Sequence, residues 1–219
     1  MKFVALLISP MMTILALHSQ AAEYYVGADV VPLNLWRQSK YIICSSNCTG
    51  VSDGSSNGAG IRIGMWLPRD GNSKTGWEIG YDTLGSISGS TTYYPQGCPL
   101  LCLGPSTTAT WRHEATMVHV DMLGAATDKG EALFGKIGLF RSIVRSEGNF
   151  GLGSGPYSRT VTGTGLLLGA GYIYPVTPRL SARLASDLFL FAKVADPINP
   201  GGTLSDIFVK VALGMDYTF

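Results

Sequence analysis

The chain has 219 residues, 28 of them glycine, with 14% charged residues and a formal net charge of +1. This length suits one domain or one closed barrel, and the near-neutral balance excludes a broad basic surface for nucleic acid or anionic lipid. Beyond the N-terminus no run of 18 apolar residues offers a spanning helix; abundant glycine with β-branched and aromatic residues favours strands and turns.

Residues 1–22 read as a secretory signal: Lys2 supplies the positive start, residues 3–17 are apolar, and Ser19-Gln-Ala-Ala22 offers a small-x-small cleavage site. Removing Lys2 from the 16 basic residues leaves 15, equal to the 15 acidic ones. The expected mature chain, residues 23–219, is therefore balanced.

Period-two alternation then recurs along the chain, placing alternate residues on opposite faces of a strand. Residues 23–32 set Tyr24, Val26, Ala28 and Val30 against Tyr25, Gly27, Asp29 and Val31. A polar loop is expected over 33–58. Residues 59–67 alternate Ile61, Ile63 and Met65 with Gly60, Arg62, Gly64 and Trp66, and 68–73 reads as a turn rich in breakers. Residues 76–85 set Trp77, Ile79 and Tyr81 against Glu78, Gly80 and Asp82; a second long loop is expected over 86–108.

Residues 110–125 place Thr116, Val118, Val120 and Met122 opposite His113, Ala115, Met117, His119 and Asp121, and Thr127-Asp-Lys-Gly130 is a tight turn. Residues 131–146 set Leu133, Ile137 and Leu139 against Phe134, Lys136 and Phe140, and a glycine-rich loop follows over 147–157. Residues 161–174 alternate Leu166, Leu168, Tyr172 and Tyr174 with Gly165, Leu167, Gly169 and Gly171, and the connection 175–178 is short. Residues 179–192 oppose Leu180, Ala182, Leu184, Leu188 and Leu190 to Arg179, Arg183, Asp187 and Phe191. After a loop over 196–203, the last stretch sets Ile207, Val209, Val211, Leu213, Met215, Tyr217 and Phe219 against Asp206, Phe208, Lys210, Ala212, Gly214, Asp216 and Thr218.

Eight strands joined alternately by long and short connections are the plan of an all-β, eight-stranded antiparallel, up-and-down transmembrane barrel. Strands of about 10 residues suffice to cross a hydrocarbon core of about 30 Å, and closure removes edges that lipid could not satisfy. The apolar face then meets lipid. The other face gathers Asp29, Arg62, Glu78, Asp82, Asp121, Lys136, Arg183, Asp187, Asp206, Lys210 and Asp216 in a lumen just wide enough for side chains, so opposite charges are expected to pair there. A packed ionic plug is the expectation; a narrow gated pore is the alternative. Tyr24, Tyr25, Trp36, Trp66, Trp77, Trp111, Tyr172, Tyr174, Tyr217 and Phe219 stand near strand ends and are expected to form aromatic girdles at the two membrane interfaces.

Cys44, Cys48, Cys98 and Cys102 form two Cys-x3-Cys pairs in the first two long loops. In an exported chain they are expected as disulfides rather than a zinc site. Local closure is entropically easier, and cross-linking of the two loops stays open. Candidates for catalysis are His119 and Asp121, which share a face at i, i+2, with Ser142 and Ser181 as nucleophiles. No nucleophile elbow accompanies them, and no cofactor or metal is expected.

The start Tyr25-Val-Gly-Ala-Asp29, the turn Thr177-Pro-Arg-Leu-Ser-Ala-Arg183 and the ending Gly214-Met-Asp-Tyr-Thr-Phe219 resemble the OmpA-like outer-membrane β-barrel family of Gram-negative bacteria. The resemblance spans residues 23–219. It implies a monomeric barrel in the Gram-negative outer membrane, in contact with outer-membrane lipid and lipopolysaccharide, with a structural, adhesive or immune-evading role; the barrel is expected to be non-enzymatic, a lipid A-modifying enzyme being the remoter alternative. The resemblance also implies that Tyr217 and Phe219 form the signal read by the barrel assembly machinery after periplasmic chaperones deliver the chain. Host or cell-surface ligands would be met through the four loops. The peptidoglycan-binding domain of larger members has no counterpart in this sequence.

Overall fold

The computed structural model describes residues 22–37, 48–49, 54–55, 57–68, 72–93, 107–128, 130–149, 156–195 and 203–219. Eight long strands make up nearly all of this: β1 (Glu23–Arg37), β2 (Gly58–Pro68), β3 (Ser73–Tyr93), β4 (Thr107–Asp128), β5 (Glu131–Asn149), β6 (Pro156–Pro175), β7 (Leu180–Ala195) and β8 (Thr203–Thr218). Every neighbouring pair is antiparallel, in the order β3-β2-β1-β8-β7-β6-β5-β4, and β3 pairs with β4 to complete the ring. The joint between first and last strands runs from Tyr25 opposite Thr218 to Arg37 opposite Ile207. Closure pairs the strand edges with one another, which lipid could not do.

The faces are inverted relative to a soluble sandwich. Ile61, Ile79, Val120, Leu139, Leu166 and Leu213 point outward, between Val120 at 40% and Leu139 at 66% exposure. An apolar belt this open needs lipid to cover it. Inside, one apolar cluster near the short-turn end contains Tyr25, Trp66, Leu123, Phe134 and Ala185. A second, toward the loop end, contains Leu84, Met117, Phe140, Leu167, Phe189 and Phe208. The charged residues lie between the two.

Strand ends differ from the sequence-based expectation. β3, β4, β5 and β6 run for 21, 22, 19 and 20 residues, about twice the 9–11 residues a tilted strand needs to span a bilayer. The excess lies on the loop side, in stretches the composition marks as loops. Ser86–Tyr93 continues β3, residues 107–109 begin β4 early, and residues 147–149 extend β5. Pairing persists there because each hairpin arm keeps its partner; Tyr93 still faces Thr107 and Asn149 still faces Thr110. Two short pieces, Cys48–Thr49 and Gly54–Ser55, pair with β3 on this raised wall. The side chain of Cys48 and the whole of Cys44, Cys98 and Cys102 lie outside the described residues.

Three irregularities bend the ring. Pro32, which has no N–H to give, sits at a register shift between Val30 and Leu33. Gly85, at φ 74°, occupies the shift between Thr83 and Ser86. At the third, Asp206 pairs with Ala192 but Phe208 with Phe189, so β7 carries an extra residue. Phe191 takes it up at φ 68° and turns outward, 56% exposed. Simple alternation expects Phe191 on the inner face with Asp187. The bulge instead brings Ala192 inside.

Glycine makes room for the inner rings. A Cβ at Gly171 would overlap the Phe134 ring and the Leu184 carbonyl, whereas one at Gly124 meets nothing within 4 Å. We expect Gly171→Ala to destabilise the barrel by about 1–3 kcal/mol through overpacking, while Gly124→Ala is neutral or slightly stabilising; urea unfolding from lipid vesicles, followed by tryptophan fluorescence, measures both.

Candidate functional site

The charged layer is built from one or two inward residues of most strands, delivered by the alternation that sends their neighbours to lipid. Glu78 on β3 lies at its centre. Arg183 Nη1 donates to Glu78 Oε2 at 2.5 Å and Nη2 to Oε1 at 3.3 Å, a forked contact. The Tyr25 hydroxyl donates to Oε2 at 2.8 Å, Lys136 Nζ lies 3.4 Å from Oε1, and Arg62 Nε is 3.9 Å from Oε2. Arg62 turns mainly to Asp29 at 2.6 Å and Asp216 at 2.7 Å. Lys136 also reaches Asp187 at 3.0 Å and Asp121 at 3.6 Å. Lys210 bridges Asp82 at 2.6 Å and Asp187 at 3.0 Å.

His119 joins this set. Its Nδ1 lies 2.6 Å from Asp121 and its Nε2 3.3 Å from Asp82. Each ring nitrogen faces a carboxylate, so both donate only when the ring carries two protons. The layer holds six carboxylates (Asp29, Glu78, Asp82, Asp121, Asp187, Asp216) against four fixed cations (Arg62, Lys136, Arg183, Lys210). A doubly protonated His119 is a fifth cation. Ten of the eleven charged residues that the sequence assigns to the lumen therefore meet in one layer. The side chain of the eleventh, Asp206, lies outside the described residues.

Glycines opposite the layer give it space. A Cβ at Gly27 would overlap Asp216 and Arg62, one at Gly60 would overlap Asp82 and Asp29, one at Gly80 the His119 ring, and one at Gly138 Asp121. On the inner face of β3 the order is Glu78, Gly80, Asp82, so small and charged residues alternate. That spacing is a signal in the sequence for where the layer lies.

The layer is tightly filled. Only about 10 Å³ of free space lies among Asp29, Arg62, Glu78, Lys136, Asp187 and their neighbours, at the lower limit of what admits one water. At the turn end a vestibule of about 290 Å³ is lined by Glu23, Lys74, Thr127, Ser181 and Asp216, together with Tyr25 and Trp66. Those two rings stack at 6.2 Å. Their place near strand ends predicts an interface girdle; the structure instead buries both inside the barrel, because their positions alternate with outward Tyr24 and Met65. Of the other girdle candidates, Tyr24, Trp77, Tyr172, Tyr174, Tyr217 and Phe219 do face outward. The side chains of Trp36 and Trp111 lie outside the described residues.

A second inward pair escapes reasoning from sequence. His113 Nδ1 and Ser146 Oγ are 2.7 Å apart at the loop end, both buried. They are 33 residues apart, and only the β4–β5 register, with His113 opposite Ser146, brings them together. Ser142 points inward on the same strand and bonds to the Gly163 carbonyl. As a metal site, Glu78, His119 and Asp121 do converge their ligand atoms within 4.8 Å. The Lys136 ammonium already supplies positive charge to Glu78 and Asp121, however, and both imidazole nitrogens are engaged.

No family model and no curated protein matches the chain. Among solved structures it is similar to a major outer-membrane protein of Thermus thermophilus, at 15% identity over 91% of this chain and 100% of that one, with a TM-score of 0.48. It is also similar to the N-terminal β-barrel domain of Pseudomonas aeruginosa OprF, at 12% identity over 90% and 97%, TM-score 0.47. A third likeness is to the outer-membrane protease OmpT of Escherichia coli, at 11% identity over 90% and 93%, TM-score 0.46. Scores at this level add nothing to what the hydrogen-bonded ring and its lipid-facing belt establish. The chain is a transmembrane β-barrel. A closed antiparallel barrel of eight strands, apolar outside and ionic within, is an outer-membrane architecture.

Removing one partner of a buried ion pair leaves the other uncompensated, which costs about 3–5 kcal/mol. We expect Arg183→Leu to destabilise by that order. Combining it with Glu78→Leu should recover part of the loss, since both charges then go. A double-mutant cycle in urea reads the coupling, and additive losses would contradict the pairing.

Proposed function

We propose that the protein is a monomeric, non-enzymatic barrel of the Gram-negative outer membrane, exported by removal of residues 1–22, that acts through its loop-end surface. The carrying observation is the filled lumen. An ionic layer with room for about one water, flanked by aromatic clusters on both sides, supports a plug over a channel, and wide aqueous channels belong to barrels of about 16 strands. What is left to work with is the outside. The raised β3–β6 wall supports this reading, because it carries ordered hydrogen-bonded surface well past the bilayer on the loop side. In this reading the four loops meet a host or cell-surface ligand, and disulfides among Cys44, Cys48, Cys98 and Cys102 would stiffen two of them.

Catalysis is disfavoured by placement. His119 is held between two carboxylates in the closed layer, and the His113–Ser146 pair faces the interior rather than lipid. The protease among the similar structures shares only the fold. A narrow pore is the second reading, favoured by the turn-end vestibule that opens toward Asp216.

Planar-bilayer recording together with loop exchange separates the two. The barrel should show no steady single-channel steps, and exchanging a loop should abolish cell-surface binding while the barrel still migrates faster on gels unheated than boiled. Steady conductance altered by Glu78→Ala or Arg183→Ala would instead establish the pore.

A further inference from the structure

Arg62 and Arg183 of the ionic layer are paired; on the outer wall Arg141 differs. On the lipid face of β5 the outward order is Leu133, Gly135, Ile137, Leu139, Arg141, Ile143, Arg145. Arg141 is exposed, flanked along its strand by Leu139 at 66% and Ile143 at 44%. Its neighbours across the sheet are Val118 on β4 and Thr164 on β6. The nearby carboxylates are taken: Glu114 pairs with Arg112 at 2.8 Å and Glu147 with Arg145 at 2.6 Å. Among the described residues no carboxylate pairs with Arg141.

Height decides what could. The turn-end girdle starts at Tyr172, which lies opposite Leu133. Arg141 is eight residues further along β5. At a rise of about 3.3 Å per residue and a tilt of about 40°, that is roughly 20 Å up a lipid-facing band of about 25 Å. A long arginine stem there lets the guanidinium reach the outer headgroup level. Beside it the outward face of β6 changes from Leu168 and Leu166 to Thr164, Thr162 and Thr160, all exposed, a column of hydroxyls where the belt would otherwise stay apolar.

We propose that Arg141, with the Thr164–Thr162–Thr160 column, is a binding site for a lipid-borne phosphate monoester of the outer leaflet, carried by a phosphorylated glycolipid. A planar guanidinium takes two phosphate oxygens at once, and hydroxyls suit the adjoining sugar. The whole-chain charge balance hides such a site, because its single charge stands beside the internally paired Arg112–Glu114 and Arg145–Glu147. The inference rests on the outer-membrane reading.

The test uses the folded full-length barrel in detergent, titrated in native mass spectrometry with bisphosphorylated lipid A, with the same lipid A after phosphatase treatment, and with phosphatidylglycerol. Wild type should bind bisphosphorylated lipid A about tenfold more tightly than the dephosphorylated form, the worth of one charge-assisted forked contact. Arg141→Gln should remove that preference and Arg141→Lys should keep part of it. Arg179→Gln, at the turn end beside Tyr217, should leave it unchanged. A wild-type preference unaltered in Arg141→Gln overturns the site, as does equal binding of the phosphorylated and dephosphorylated forms; tighter binding of phosphatidylglycerol overturns the glycolipid assignment. Heat-modifiable gel migration of each protein reports folding separately, so failure of the barrel itself is seen before any lipid is added.

Discussion

Glu78 ties the ring together. It belongs to β3, and the groups that reach it come from β1 (Tyr25), β2 (Arg62), β5 (Lys136) and β7 (Arg183). Of these strands only β2 is hydrogen-bonded to β3, so most of the contacts cross the lumen rather than follow the wall. Backbone ladders fix which strands sit side by side. They do little to fix how wide the ring is or how far opposite walls slide past each other. A carboxylate held from several directions, with Arg183 gripping both of its oxygens, does fix that. Its alternative, a charge left unpaired in a site closed to water, is far costlier than the pairing.

The layer is possible because of what encloses it. Phe140, Phe189 and Phe208 lie toward the loops, and Tyr25, Trp66 and Phe134 toward the turns. Phe140 and Phe189 meet edge to face at 5.1 Å, and the Arg183 guanidinium lies 4.3 Å over the Phe134 ring. These rings strengthen the charges' mutual attraction by excluding water and accept a cation on their faces. They need inward space as well, which glycines at Gly165, under Phe140, and Gly171, under Phe134, provide. The barrel thus alternates small wall positions with large or charged lumen positions. The same device serves the aromatic rings and the ions.

Much of this is legible in the sequence. Period-two alternation sets eight strands and assigns nearly every outward aliphatic and inward charge to its face, because a strand with lipid on one side cannot slip by one residue without inverting both faces. Boundaries are less legible. The upper halves of β3 to β6 are rich in serine, threonine and glycine, which resembles loop composition, yet water at that height satisfies side chains while the hairpin partner satisfies the backbone. Phe191 escapes the pattern because a bulge adds a residue without changing the apparent alternation. For Tyr25 and Trp66 the alternation holds and the girdle expectation fails, because an aromatic ring near a strand end suits an interface and a lumen equally. His113 and Ser146 need the register, which a single sequence does not contain.

The two sides of β5 show how location changes what a cation does. Lys136, facing in, finds Glu78, Asp121 and Asp187 supplied by three other strands. Arg141, five residues on and facing out, finds Val118 and Thr164. The chain satisfies the first charge itself, because a lumen surrounds its occupants with walls on every side. Among the described residues it offers no carboxylate to the second, whose neighbours across the sheet are an aliphatic side chain and a hydroxyl. A charge that must persist at that height therefore takes its counter-ion from the membrane or from water at its edge. The same sheet that makes the interior self-sufficient makes this part of its exterior dependent on its surroundings.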